Sequence, residues 1–546
     1  MDVFCRYPAM DVFIDALQTA ERRSFVGILC RGPAQKPFSC GCRRKCRELG
    51  KLSFLFENAS YRLKVHLTAQ SLEKAGKDDR MALQSEKGQV TIMGLVLFVL
   101  FTALEIVLAV KGRGKEKEKK VWLKNRLYVR LSEIAIVLIA LLLPFGQKWR
   151  FVPLLGFLAV LGIIALLKWL FGRRKENIEK KAGPAVSNCV FSILFIGLLL
   201  IPAFVFTGYK GLPVSGSHPV AEASAILIDR SRTDSFEQDG SFREVPVHFY
   251  YPADAADGGQ FPLVVFSHGA FGYYQSNTST YMELASNGYV VAALDHPHHA
   301  FFTEDTARKT VIVDTGFFQT AMASNGDPND NAEANFSRFR EWMDLRTADM
   351  NFAVDTLEAA GISGSFDSSW FLPADNADTI LSVLKLVDLT KIGLMGHSMG
   401  GATAVQLGRE RDDISAVIDL DGTMLGEYTG VENGKLTIRE EAYPVPVLEF
   451  NNWETYNDRK EYLAQGGRYP NDELIRGAAE GYAVTVRDTQ HMDFTDLPLL
   501  SPLLGKMLGS GERGCEETMT IVNGLALDFF NHTLKGEGAF SVQEIY

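Results

Sequence analysis

The chain has 546 residues and a formal net charge of −10, with 47% hydrophobic residues. That length exceeds one ordinary domain, so at least two units are expected; the acidic balance, with no basic patch in the second half, argues against nucleic-acid binding, which needs a cationic face to engage phosphates. Cys5, Cys30, Cys40, Cys42 and Cys46 crowd the start and only Cys189 and Cys515 follow, so the large C-terminal part holds no internal disulfide. Cys40-x-Cys42-x3-Cys46 fits no zinc spacing and has no histidine beside it, and no metal is expected there.

Residues 1–90 show weak periodicity, many basic side chains and no clear caps. They read as a poorly structured leader, or as sequence upstream of a true start at Met93, where Met93-Gly-Leu-Val-Leu opens straight into an apolar run. Four such runs follow, at about 92–110, 131–146, 151–171 and 187–206. A membrane-spanning helix needs about 20 mainly apolar residues, and these runs lack the polar face of a core helix. A four-helix transmembrane region over 91–207 is therefore expected, its second run the shortest and interrupted by Glu133 and Pro144, its first carrying Glu105.

Lys111, Arg113, Lys115, Lys117, Lys119, Lys120, Lys124, Arg126 and Arg130 lie between the first two runs, and Arg173, Arg174, Lys175, Lys180 and Lys181 between the last two. Basic loops stay in the cytoplasm. The chain is thus expected to begin outside, cross four times and deliver everything after about 207 to the outer side. A catalytic domain outside the cytoplasm that does without disulfides suits a bacterial plasma membrane.

Gly211-Leu-Pro-Val-Ser-Gly-Ser-His-Pro219 reads as a linker, taken as 208–221. Over 222–546 the pattern changes to alternating strands and helices. Strands are predicted at Ala225–Asp229, Val245–Tyr251, Leu263–Phe266 and Gly288–Leu294, then at about 392–395, 415–420, 445–450 and 483–487. Helices are predicted at about 337–360 and 519–534. This alternation argues for an α/β fold, a mainly parallel sheet covered on both faces.

The chemistry centres on Lys391-Ile-Gly-Leu-Met-Gly-His-Ser-Met-Gly-Gly401. A buried strand breaks into G-x-S-x-G and a helix follows from Ala402, the context of a nucleophile elbow, where glycines two before and two after the serine let the chain pass close by. Ser398 is the candidate nucleophile. Its base should come late, because α/β-hydrolases run serine, acid, histidine in chain order. After Ser398 only His491 and His532 remain. His491 follows a predicted strand in a polar loop, whereas His532 falls on the closing helix and reads as a packing or surface residue.

For the acid, Asp421 ends the strand after the elbow helix, with Glu454 after the next strand as its alternative; Asp419 alternates to the opposite direction and reads as structural. The oxyanion of acyl transfer needs two backbone donors. The N–H of Met399 follows the nucleophile, and that of Ala270 follows the strand Leu263–Phe266 in Ser267-His-Gly-Ala-Phe-Gly272. His268 reads as a loop-packing histidine.

Pro262-Leu-Val-Val-Phe-Ser-His-Gly269, the stretch Asp388–Thr403, Leu420-Asp-Gly-Thr-Met424 and His491-Met-Asp-Phe494 together resemble the platelet-activating factor acetylhydrolase family of α/β-hydrolases, in its plasma and intracellular type II forms. The resemblance covers roughly 222–535. It implies an α/β-hydrolase fold, a triad aspartate about two dozen residues after the nucleophile, which favours Asp421 over Glu454, and short acyl esters of phospholipids as substrates.

Two further clusters read as polar loops. Asp295-His-Pro-His-His299 looks like a metal patch but follows a strand, and Asn325-Gly-Asp-Pro-Asn-Asp-Asn-Ala-Glu333 lacks the ligand spacing of a calcium loop and reads as a solvated lid. The expectation is a membrane-anchored serine ester hydrolase acting without metal or organic cofactor, its partners an ester or phospholipid and the lipid bilayer. Gly-His-Ser-Met-Gly suits a general carboxylesterase or polyester hydrolase as well. A receptor or scaffold that kept the fold without catalysis is the reading from another class.

Overall fold

The computed structural model describes residues 79–111, 119–142, 148–171, 182–206, 211–255, 260–323, 329, 331–372 and 376–546. The chain divides into two units, 1–210 and 211–546. The cysteine-rich start, residues 1–78, lies outside the described residues, as do most of the expected lid loop and the loops 112–118 and 172–181.

In the first unit the helices are α1 (Asp79–Lys111), α2 (Lys119–Leu142), α3 (Val152–Phe171) and α4 (Ala182–Val205). Leu97, Phe101, Val137, Leu154, Leu158, Ile196 and Leu200 pack between them, while Leu95, Val99, Ile163, Leu194 and Leu198 face outward. Apolar side chains on both faces of a helix suit lipid rather than water. Among the described residues three segments, Ile92–Val110, Trp149–Phe171 and Val186–Val205, are long and apolar enough to cross a membrane.

The expected second span differs from what is found. The run 131–146 belongs to a helix that starts at Lys119 and ends at Leu142, before Pro144. Arg126, Arg130 and Glu133 interrupt it, so it falls short of a span by composition. The reason is local pairing: Arg130 Nη1 lies 2.5 Å from Glu105 Oε1 of α1 and 2.7 Å from Glu133 Oε2. Charges held against one another need no water. Helix α1 also begins at Asp79, well before the expected boundary near residue 91.

In the second unit the strands are β1 (Val220–Thr233), β2 (Phe242–Pro252), β3 (Phe261–Ser267), β4 (Val290–Leu294), β5 (Phe302–Glu304), β6 (Thr310–Ile312), β7 (Trp370–Phe371), β8 (Val387–His397), β9 (Ile414–Leu420), β10 (Tyr428–Glu432), β11 (Lys435–Ile438), β12 (Val447–Asn452) and β13 (Gly481–Val486). A nine-stranded sheet runs β13-β12-β9-β8-β3-β4-β2-β1-β7. From β13 to β4 neighbours are parallel, and β2, β1 and β7 add antiparallel pairs. The central strands β3 and β4 are almost wholly buried apolar sequence, as a sheet covered on both faces requires. This is the α/β-hydrolase fold, with helices on both faces of a mixed sheet.

The helices of this unit used below are α5 (Thr278–Ser286), α6 (Thr315–Ala323), α7 (Ala332–Ser363), α8 (Ala377–Lys385), α9 (Met399–Glu410), α10 (Trp453–Ala464), α11 (Pro470–Gly477) and α12 (Cys515–Phe530). Met350, Ala353, Val354, Leu357 and Ala360 form a stripe at helical spacing along α7 that joins Ile380 and Val383 of α8 and Val405 of α9 in the core. The expected linker is partly domain. Ser215 N–H donates to Glu283 Oε2 at 2.9 Å and His218 N–H to Ser286 O at 3.0 Å, so residues 215–218 are bound to the C-terminal end of α5.

Helix α5 also grips the loop that carries His491. Asn277 Nδ2 donates to Phe494 O at 2.7 Å, and the Asp496 carboxylate accepts from Ser279 N–H at 2.7 Å and Ser279 Oγ–H at 2.6 Å. Burial outweighs those bonds and pushes Asp496 up from 3.8 to about 7. The folded chain therefore keeps a proton that the unfolded chain releases between those values. The contribution is full below the window and is lost as pH rises through it. Unfolding by urea from pH 4 to 8 should show stability falling with pH, and Asp496→Asn should flatten that fall; an unchanged slope in the variant would refute it.

Candidate active site

Strand β8 ends at His397 and α9 starts at Met399, leaving Ser398 alone in the turn with φ 55° and ψ −125°. An L-residue rarely adopts positive φ, so the neighbours must hold it there. A Cβ on Gly396 would lie 2.2 Å from Gly400 O, one on Gly400 2.0 Å from Ser267 O, and one on Gly401 1.8 Å from Asp419 Oδ1. Strand, helix and the β3 loop thus meet where only hydrogen fits. Ser398 N–H donates to Leu420 O at 2.8 Å, fastening the turn to the next strand.

Ser398 Oγ lies 3.0 Å from His491 Nε2, and His491 Nδ1 lies 2.7 Å from Asp421 Oδ2. With Nδ1–H donating to the carboxylate, Nε2 is left as the acceptor for the serine proton. His491 sits in a short 3-10 turn, His491–Phe494, held by Asp493, whose Oδ2 accepts from Gln490 N–H at 2.9 Å and Gly511 N–H at 2.6 Å. His397 is buried, its ring centroid 4.7 Å from that of His491, and its Nε2 is 3.3 Å from His491 O. Burial and the neighbouring His491 keep His397 well below the ordinary imidazole range and hence neutral.

Asp421 follows β9 with φ 58°. Its Oδ1 accepts from Asn452 N–H at 2.7 Å and its Oδ2 from Asn452 Nδ2 at 2.7 Å, so the end of β12 orients the carboxylate. The alternative acid, Glu454, lies one residue inside α10 and lines an open surface pocket with Trp453, Asn457 and Asp488. It makes no bond to His491. Asp419 is fully buried beneath the elbow, where it accepts from Gly422 N–H at 3.1 Å; burial, then Glu449, then Asp421 hold its carboxyl well above the usual range.

Met399 opens α9, so its N–H is one of the first-turn donors that the helix itself leaves unpaired. The loop bearing Ala270 presses on the elbow: a Cβ on Gly269 would lie 3.1 Å from Ser398 Cβ. Among the described residues no acceptor meets the Ala270 N–H, while Phe271 N–H and Gly272 N–H are taken by His299 O and Gly269 O. Ala270 and Met399 both pack on an apolar cluster of Phe317, Phe339, Trp342, Met343 and Tyr428, drawn from α6, α7 and β10. That cluster walls one side of the elbow.

Beneath the loop lies a polar network with no clear sequence signal. Ser267 Oγ is 2.9 Å from His296 Nε2, and His296 Nδ1 is 3.1 Å from Asp349 Oδ2, a second serine, histidine and aspartate in line. All three are buried, so no substrate reaches them. Arg243 donates to both oxygens of Asp349 and to Asp234, and Asp349 is held well below the usual carboxylate range. Burial, then Arg346, drives His296 down to about 3. Two histidines of Asp295-His-Pro-His-His299, His296 and His299, are thus hydrogen-bonded into this network: His299 Nδ1 accepts from Arg346 Nε. Among the described residues no group of three His, Cys, Asp or Glu side chains is placed to hold a metal.

Sequence reasoning missed Asn452, Asn277, Arg346 and Asp349. Asn452 carried a readable signal as the cap of α10, where its side chain accepts from Thr455 N–H. Arg346 and Asp349 sit three apart on the buried stripe of α7, and charged residues on an apolar stripe mark a partner that only the tertiary fold supplies.

On this α/β-hydrolase sheet an elbow serine, a late histidine and a strand-end aspartate come together in one hydrogen-bonded line. The family model of platelet-activating factor acetylhydrolase, isoform II, matches residues 239–542, and the chain belongs to that family. Among curated relatives, the platelet-activating factor acetylhydrolase of Cavia porcellus is 25% identical over 293 residues, 51% of this chain and 58% of its own. That of Canis lupus familiaris is 23% identical over 257 residues, 46% of this chain and 51% of its own. The chain thus spans little more than half the length of these relatives. A ferulic acid esterase structure from Streptomyces cinnamoneus aligns with a TM-score of 0.43 at 21% identity, covering 60% of this chain and 93% of that one.

The two acids separate by substitution. Asp421→Asn leaves the imidazole without its carboxylate and should lower kcat for an activated ester by about 10⁴-fold, while Glu454→Gln should stay within about twofold, as expected of a group outside the relay. The reverse pattern in p-nitrophenyl acetate turnover would move the acid to Glu454.

Proposed function

We propose that the chain is a serine ester hydrolase, and the observation that carries this is the unbroken relay from Ser398 Oγ through His491 to Asp421. Ser398 attacks the ester carbonyl as His491 Nε2 takes its proton. The carbonyl oxygen, now negative, accepts from the N–H groups of Ala270 and Met399. His491 returns the proton to the departing alcohol, leaving an acyl-serine. Water then adds with its proton going to the same nitrogen, the acyl–Ser398 bond breaks, and Ser398 regains its hydrogen. None of these steps calls on a metal or an organic cofactor.

Short acyl groups on phospholipids are the proposed substrates, in keeping with the family and with the names its relatives carry. A general carboxylesterase would share the relay and differ in acyl and head-group preference. Turnover of p-nitrophenyl esters from acetyl to dodecanoyl, set beside a 2-acetyl phospholipid, separates the two. The proposal expects turnover to fall as the acyl chain lengthens, the acetyl phospholipid to be cleaved, and Ser398→Ala to lose at least about 10³-fold in both. Equal rates across the series with an inert phospholipid would leave only the carboxylesterase, and no turnover at all would leave the scaffold.

The site is proposed to lie outside the cytoplasm of a bacterial plasma membrane. Basic residues at 111–120 and at 173–181 hold both connections inside. If both stay inside, α2 must cross despite its charges, and the pairing of Arg130 with Glu105 and Glu133 supports that. Protease added to intact spheroplasts should then remove the unit 211–546; its survival until the membrane is opened would reverse the orientation.

A further inference from the structure

Arg346 is wholly buried on α7, and among the described residues no carboxylate lies within ion-pair distance of it. Asp349, one turn along, supports its charge through space but is bonded by Arg243 and Arg232 instead. A guanidinium taken out of water is costly unless its donors are used. Here they go almost entirely to one loop: Nη1 donates to His268 O at 2.8 Å, Nη2 to Gly269 O at 3.2 Å, and Nη1 lies 3.4 Å from Ser267 Oγ. His268 and Gly269 belong to the loop that carries Ala270, and Ser267 ends the strand β3 that leads into it.

Gly269 O is the crowded atom. Besides Arg346 it accepts from Gly272 N–H at 3.0 Å and from His268 Nδ1 at 2.7 Å. The tautomer of His268 follows from its other nitrogen, because Nε2 accepts from His296 N–H at 3.2 Å, leaving the proton on Nδ1. Three donors on one carbonyl, one of them cationic, draw electron density toward the oxygen. In an amide that density comes from the nitrogen of the same peptide unit. That nitrogen is Ala270 N, whose N–H no described residue accepts.

We infer that Arg346, with His268, polarises the Gly269–Ala270 peptide and so strengthens and aims the Ala270 N–H as an oxyanion donor. Arg346 is a positioning residue: it touches the carbonyl end of the amide whose N–H end meets the substrate. The Ser267, His296 and Asp349 line has its place here. His296 Nδ1–H donates to Asp349, the Ser267 hydroxyl donates to His296 Nε2, and the Ser267 oxygen is turned to receive Arg346. A constellation built like a triad thus serves as a brace.

The inference rests on the proposed hydrolase reading, and one experiment separates their failures. The full chain in detergent is acylated with ¹³C-carbonyl p-nitrophenyl acetate, and infrared difference spectra record the acetyl-serine carbonyl beside steady-state kinetics. The variants are Arg346→Met, Arg346→Lys and His268→Ala. Arg346→Met should lower kcat about ten- to a hundredfold, short of the loss for deleting a donor outright, with KM within about threefold and the carbonyl band moved to higher wavenumber. Arg346→Lys should fall between it and the wild type, and His268→Ala should move the band the same way by less. If Arg346→Met does not fold, the other two carry the test. An unmoved band in folded variants, or a loss carried by KM with the band in place, overturns the inference alone. A wild type with neither turnover nor acetyl-serine overturns the function and the inference together.

Discussion

Everything in the C-terminal unit bends around one unfavourable backbone conformation. Ser398 at φ 55° costs on the order of 1–3 kcal/mol, and the sheet has to supply that from contacts elsewhere. It does so by bringing three backbones together at Gly396, Gly400 and Gly401, where a single methyl group would collide with Gly400, Ser267 or Asp419. Its consequence is chemical as well as steric. The same close approach that holds Ser398 in its turn brings the β3 loop beside it, so the proposed nucleophile and oxyanion donors are fixed by one constraint.

Around that turn, hydrogen bonds from residues remote in sequence set the two partners. Asp421 is oriented by Asn452 from the next strand, and the His491 turn by Asp493 within it and by Asn277 at the start of α5. The buried charges follow a consistent logic. Arg243 and Asp349 offset one another at the edge of the network, which leaves Arg346 to bond backbone carbonyls instead of a carboxylate. His296 and His397, kept neutral by burial, act as directional hydrogen-bond relays rather than as charges.

What the sequence made legible was local. The elbow was readable because glycine is demanded at fixed offsets from Ser398. The parallel core was readable because strands such as Val290–Leu294 are apolar throughout. Histidine at 491 was readable by position, as the late polar-loop candidate. Long-range partners were not: nothing in Asn451-Asn452 announces a neighbour at Asp421, and Arg346 looks like a misplaced charge until the β3 loop lies over it. Composition also misled where charges pair. Arg130 and Glu133 interrupt α2, yet Arg130 is paired both with Glu133 on its own helix and with Glu105 on α1; and the Gly-Pro-Ser stretch before β1 looked like a free linker although Ser215 and His218 are bonded to α5.

The central claim is that Ser398 is activated by His491. Its most direct test is peptide mapping by mass spectrometry after treating the full chain with a fluorophosphonate. A single adduct on Ser398, lost in His491→Ala while the fold persists, is the predicted result. An adduct on another serine, or labelling of Ser398 that ignores His491, would contradict it.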